Sequence, residues 1–125
     1  MDGESLAATG LLAALSRAAE LLAGLRHPFV RSEPYTYAVP PAGARTGIAF
    51  TLPDGRELRL EVSISAEGGA FHVAGAADAE GDVLLGLPHR AIPGIHDALV
   101  VFDDYAAELA GEAGRLVDGQ LDEIV

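Results

Sequence analysis

Cysteine is missing from this chain, and so are lysine, asparagine and tryptophan. Without cysteine there is no disulfide, no thiolate metal ligand and no thiol nucleophile. The same absence removes any clue to redox compartment. Lysine and asparagine have A/T-rich codons, whereas the abundant alanine, glycine and arginine have G/C-rich ones. The all-arginine basic set therefore reads as the mark of a GC-rich, bacterial genome rather than a demand for guanidinium groups. Long apolar runs are absent too. Arg17 and Glu20 interrupt the stretch from Leu6 to Leu25, and a membrane span needs about 18 uninterrupted apolar residues. Asp2 and Glu4 stand where an export signal would be basic. The expectation is a cytoplasmic protein with no membrane partner. A basic face is missing as well: the formal charge is −11, and nucleic-acid binding requires cations to displace counterions from phosphates. No nucleic-acid partner is expected.

What is present suits one domain. A chain of 125 residues, half of them hydrophobic, can bury roughly two-thirds of its unfolded surface. A single α+β domain over residues 1–125 is expected, since no linker, repeat or low-complexity tract divides it. Leu11, Leu15, Ala18, Leu22 and Leu25 are spaced 4, 3, 4 and 3, one stripe of a helix over about Glu4 to Arg26. Pro28 stops it. A second stripe (Ile95, Leu99, Phe102, Ala106, Leu109, Ala113 and Leu116) predicts a helix from about Gly94 to near the C-terminus. Gly111, Gly114 and Gly119 each cost about 1 kcal/mol against alanine in a helix interior. Fraying or bending after Ala110 is expected unless the helix backbone there packs closely on something.

Between the helices the hydrophobic period is two. Tyr35, Tyr37 and Val39 alternate, then Ile48, Phe50 and Leu52, then Leu58, Leu60, Val62 and Ile64. Opposed residues of an antiparallel pair share a face, so parity tests each turn. A two-residue Asp54-Gly55 loop would oppose Leu52 to Glu57 and fails. A three-residue Pro53-Asp54-Gly55 loop opposes Phe50 to Leu58 and Ile48 to Leu60, which fits. A two-residue Gly68-Gly69 loop opposes Ile64 to Val73 and Ala66 to Phe71. A turn in Asp78–Asp82 leads to a short strand, Val83–Leu87, closed by Pro88. The predicted fold is α-β5-α: a five-stranded antiparallel meander with both terminal helices on one face.

Catalytic patterns are sparse. His27 precedes Pro28 at a helix end and reads as a capping cation. His72 falls on the wet face near Arg59 or Glu61, where a solvent-facing histidine is the plainer reading. His89 and His96 flank a connector with Asp97 adjacent, but their spacing matches no usual metal pair on a regular element. Ser16, Ser63 and Ser65 sit in element interiors with no G-x-S-x-G turn. Asp103 and Asp104 are adjacent on a helix and diverge. No catalytic residue, metal ligand or cofactor is assigned.

Two surfaces carry more information. The sheet face opposite the helices is expected to show Thr36, Ala38, Gly47, Ala49, Thr51, Arg59, Glu61, Ser63, His72, Ala74 and Ala76, a flat floor of small residues rimmed by charge. Ala38, Ala49, Arg59, Glu61, His72 and Ala74 mark it as a candidate self-association face. The last 30 residues hold eight acids and one arginine. Asp97, Asp104, Glu108 and Glu112 line one side of the final helix, a candidate surface for a protein partner with a basic patch. The functional expectation is a non-catalytic protein-interaction domain, homodimeric, acting as an adaptor, chaperone or toxin-neutralising protein. The alternative is a small-molecule binder or small enzyme with a pocket between helices and sheet, lined by Tyr35, Tyr37, His72 or His89.

Overall fold

The two central hairpins close with the registers that parity demands. In the computed structural model, which describes residues 3–39 and 43–124, the elements are α1 (Gly3–Ala23), β1 (Arg31–Val39), β2 (Gly43–Thr51), β3 (Glu57–Glu67), β4 (Ala70–Ala79), β5 (Asp82–Ile92) and α2 (Ile95–Ile124). The five strands form one antiparallel sheet in sequence order. Phe50 opposes Leu58 and Ile48 opposes Leu60, while Ile64 opposes Val73 and Ala66 opposes Phe71. Gly68 and Gly69 turn between β3 and β4 with φ of 60° and 79°, the left-handed pair that a two-residue hairpin loop needs.

Both helices cover the same face. Ala14, Ala18 and Leu22 of α1 and Phe102, Ala106, Leu109 and Val117 of α2 are buried with Ile48, Phe50, Leu58, Leu60, Val62 and Val73 of the sheet. α1 lies over β1 and β2, and α2 over β3 to β5. Arg17 of α1 and Asp103 of α2 join the helices across 2.9 Å. No helix among the described residues is long and apolar enough to cross a membrane.

The fold departs from the sequence expectations at four places. First, α2 reaches Ile124, the extent expected, without the fraying that its glycines suggested after Ala110. Gly111, Gly114 and Gly119 are exposed, with nothing within 4 Å of a built β-carbon, and the buried Ala113, Leu116, Val117 and Gln120 hold the second half down. Second, β5 extends through Pro88 to Ile92. Pro88 sits on an edge strand, within a register irregularity, where it has no ladder partner, a position that tolerates a missing N–H. Third, His27 does not cap α1, which ends earlier. Arg26 donates to the carbonyls of Ala23 and Leu25, and His27 instead ties the chain to α2 through a 2.8 Å contact of Nε2 with Asp118.

Fourth, β1 turns the opposite faces inward and outward from those expected. Tyr35 opposes Gly47 and Thr36 opposes Thr46. Thr46 shares the parity of the buried Ile48 and is itself 1% exposed. Thr36 and Ala38 therefore lie on the helix side, and Tyr35 and Tyr37 on the open side. The pairing Val39–Gly43 leaves three residues in the connection, which sets this parity. On the helix side Thr36 and Thr46 share a hydroxyl–hydroxyl hydrogen bond of 2.8 Å.

Candidate interaction face

The open face is built in rows that run across the strands. One row is Glu33, Ala49, Arg59 and Asp78; the next is Tyr35, Gly47, Glu61, Ala76 and Gly86; a third is Tyr37, Arg45, Ser63 and Ala74. Ala49, Arg59, Glu61, His72 and Ala74 thus share this face as expected, and Ala38 does not. Small side chains on β2 and β4 leave β3 as a ridge carrying Arg59 and Glu61. No element among the described residues lies over the ridge.

Gly47 is the residue that lets Tyr35 lie flat. A β-carbon on Gly47 would come within 2.6 Å of Tyr35 Oη and would also collide with the carbonyl oxygen of Leu60. The ring crosses Gly47, and its hydroxyl donates to Glu61 at 3.0 Å. Burial and the neighbouring carboxylate both oppose ionisation, so the Tyr35 phenol is pushed well above its ordinary range. Arg45 approaches the same carboxylate at 4.0 Å. Arg59 is tied to Glu57 at 3.1 Å, which holds its guanidinium more firmly in the charged form. Tyr35 and Tyr37 lie 6.0 Å apart with planes 24° from parallel. With Glu33, Ala49, Glu57 and Arg59 they line a shallow cleft of about 310 Å³.

The supposed pocket between helices and sheet is not where these residues meet. Tyr35 and Tyr37 are on the outer face at β1. His72 and His89 are on β4 and β5, three and four strands away, or about 14–19 Å at the usual strand spacing. The two histidines do meet each other: His72 Nδ1 and His89 Nε2 are 3.0 Å apart. The second nitrogen of His72 lies 3.3 Å from the carbonyl oxygen of Glu67. Ser65 faces His72 across the ladder, and each His72 ring nitrogen has a partner other than that serine. His96 is exposed and far along the chain at the start of α2. Among the described residues no three histidine, aspartate or glutamate side chains converge as a metal cluster.

On α2 the acidic stripe is only partly compensated. Asp97, Asp104 and Glu108 are exposed and have no ion-pair partner among the described residues, whereas Glu112 pairs with Arg115 three residues on. Asp103 and Asp118, on other sides of the helix, pair with Arg17 and His27. Compared with family profiles, with curated proteins and with solved structures, the chain matches none.

Proposed function

We propose that this is a non-catalytic protein-interaction domain that pairs with a second copy of itself through the open sheet face and offers the acidic side of α2 to a basic protein partner. The observation that carries this reading is the distribution of charge between the two surfaces. The open face carries Arg31, Arg45 and Arg59 against Glu33, Glu57, Glu61, Glu67 and Asp78, a net −2 of the chain's −11. Two such faces present arginines and carboxylates to each other, while the acidic helices point outward, away from one another. Five strands spaced about 4.8 Å apart and about 30 Å long give a face on the order of 700 Å², close to the roughly 800 Å² per partner of an ordinary specific interface.

Sedimentation at high micromolar concentration tests the pairing. The wild type is expected as a dimer, and Ala49→Arg or Ala74→Arg as a folded monomer, because a two-fold axis repeats each bulky charge. A monomeric wild type sinks the self-association reading.

The cleft at Tyr35 and Tyr37 supports a second reading, a small-molecule binder. Its volume is at the lower end of ligand pockets, and its polar groups converge on one side of an aromatic pair. Binding of a ligand by the Ala49→Arg variant as tightly as by wild type would count against it, since Ala49 floors the cleft.

A further inference from the structure

His72 lies on the self-association face, but neither reading uses its pairing with His89, and that pair is built in a specific way. By simple alternation from Leu87, which opposes Gly75 on the helix side, His89 would also point toward the helices. It does not, because the β4–β5 register slips between Val73 and Gly75, so that Pro88 and His89 together stand against Ala74. Bulges of this kind re-aim side chains. This one delivers His89 to the open face beside His72, and the Tyr105 hydroxyl from α2 anchors it by donating to the carbonyl of Pro88. The imidazole planes are within 8° of parallel, with centroids 5.0 Å apart.

The hydrogen bonds decide which nitrogens are available. His72 Nε2 faces a carbonyl, which can only accept, so Nε2 carries the hydrogen and Nδ1 presents its lone pair. A second-sphere carbonyl that fixes the tautomer in this way is the usual support of a metal-ligating histidine. His89 donates its Nε2 hydrogen to that lone pair in the metal-free protein. Moving that hydrogen to the exposed Nδ1 of His89 leaves two lone pairs on nitrogens 3.0 Å apart, with no net loss of a proton. At metal–nitrogen distances of about 2.0–2.1 Å, this separation subtends roughly 95° at an ion. That is the angle of neighbouring ligands in a square-planar or octahedral shell, narrower than a tetrahedral site asks for.

We infer that His72 Nδ1 and His89 Nε2 form a two-imidazole site for a divalent transition-metal ion of the copper(II) or nickel(II) type, the remaining positions being filled by water. His89 is exposed and His72 half-buried, and each ring must turn by about 40° from the line joining the two nitrogens for both lone pairs to meet one ion outside the sheet. Both rings stand on the open face that the self-association reading covers, so the titration is made on the Ala49→Arg monomer as well as on the wild type.

The test uses full-length, tag-free protein titrated with nickel chloride in a non-coordinating buffer. Calorimetry is expected to give one ion per chain, with affinity lowered tenfold or more in His72→Ala and in His89→Ala, and unchanged in His96→Ala. Copper(II) electron paramagnetic resonance should show two imidazole nitrogens. Imidazole resonances of the wild type give a reading free of any effect of substitution on folding: His72 and His89 should broaden first at substoichiometric nickel, before His27 and His96. Undiminished binding by the His72→Ala/His89→Ala variant, or broadening that begins at His27 or His96, overturns the site.

Discussion

Tyr35, Gly47 and Glu61 show how three residues on three strands determine one another. Tyrosine on an uncovered sheet face is soluble at its hydroxyl and apolar along its ring, and it needs a neighbour without a side chain to lie on. Gly47→Ala removes that neighbour. Overpacking of this kind costs about 1–3 kcal/mol, and a urea midpoint measurement should show a loss in that range, whereas Ala49→Gly, one row away, should cost less. The hydroxyl has a separate signature. The folded state holds the Tyr35 proton to higher pH than the unfolded chain, whose tyrosines ionise near 10. Its contribution to stability is therefore complete below pH 10 and is lost as pH rises beyond it, because the unfolded chain releases the proton first. Tyr35→Phe should lose about 1 kcal/mol at pH 8 with the hydrogen bond, and its stability should fall less steeply than that of wild type between pH 10 and 11. Parallel denaturation curves for the two proteins over that interval would contradict the assignment.

At the level of elements, α2 carries an unused reserve of stability. Gly111, Gly114 and Gly119 face open solvent, so alanine at each meets nothing and restricts the unfolded chain. Each substitution should add up to about 1 kcal/mol, and the triple variant should melt several degrees higher with unchanged far-ultraviolet dichroism. No gain would mean that these glycines serve a contact outside this chain. The same helix marks the boundary of what the residues reveal in advance. Its amphipathic stripe was legible, as were the β2–β3 and β3–β4 registers, because turn chemistry and parity allowed one solution each. The orientation of β1 was not legible: hydrophobicity places tyrosine inward, and only the opposition of Tyr35 to Gly47 turns it outward. Nor was the extent of β5, since Pro88 ends a central strand but is tolerated at an edge. The meeting of His72 with His89 depends on a register slip, and no local pattern announces one. Of the candidate face, the β2, β3 and β4 positions were readable and the β1 and β5 contributions were not.

At the scale of the whole molecule, charge is segregated. The helix that shields the core also carries most of the excess acid, and the open face is close to neutral. Asp97, Asp104 and Glu108 fall 7 and 4 residues apart and stand exposed without a partner among the described residues, while Glu112 is relieved by Arg115. Like charges at i,i+4 destabilise a helix by a few tenths of a kcal/mol, so Asp104 and Glu108 are not explained by folding. A cationic partner would turn that repulsion into attraction and speed encounter by long-range steering. The reading therefore predicts a protein partner with a basic patch whose association slows steeply between about 50 and 500 mM salt, where the screening length shortens severalfold. Asp104→Asn with Glu108→Gln should leave thermal stability equal or slightly higher, and should lower the association rate and flatten its salt dependence. Glu112→Gln alone should have the smaller effect on association, because its charge is already matched within the helix. Stopped-flow association of the wild type and both variants with the partner separates these outcomes. If Asp104→Asn/Glu108→Gln associates at the wild-type rate with the wild-type salt slope, the stripe keeps the protein dissolved and recognises nothing.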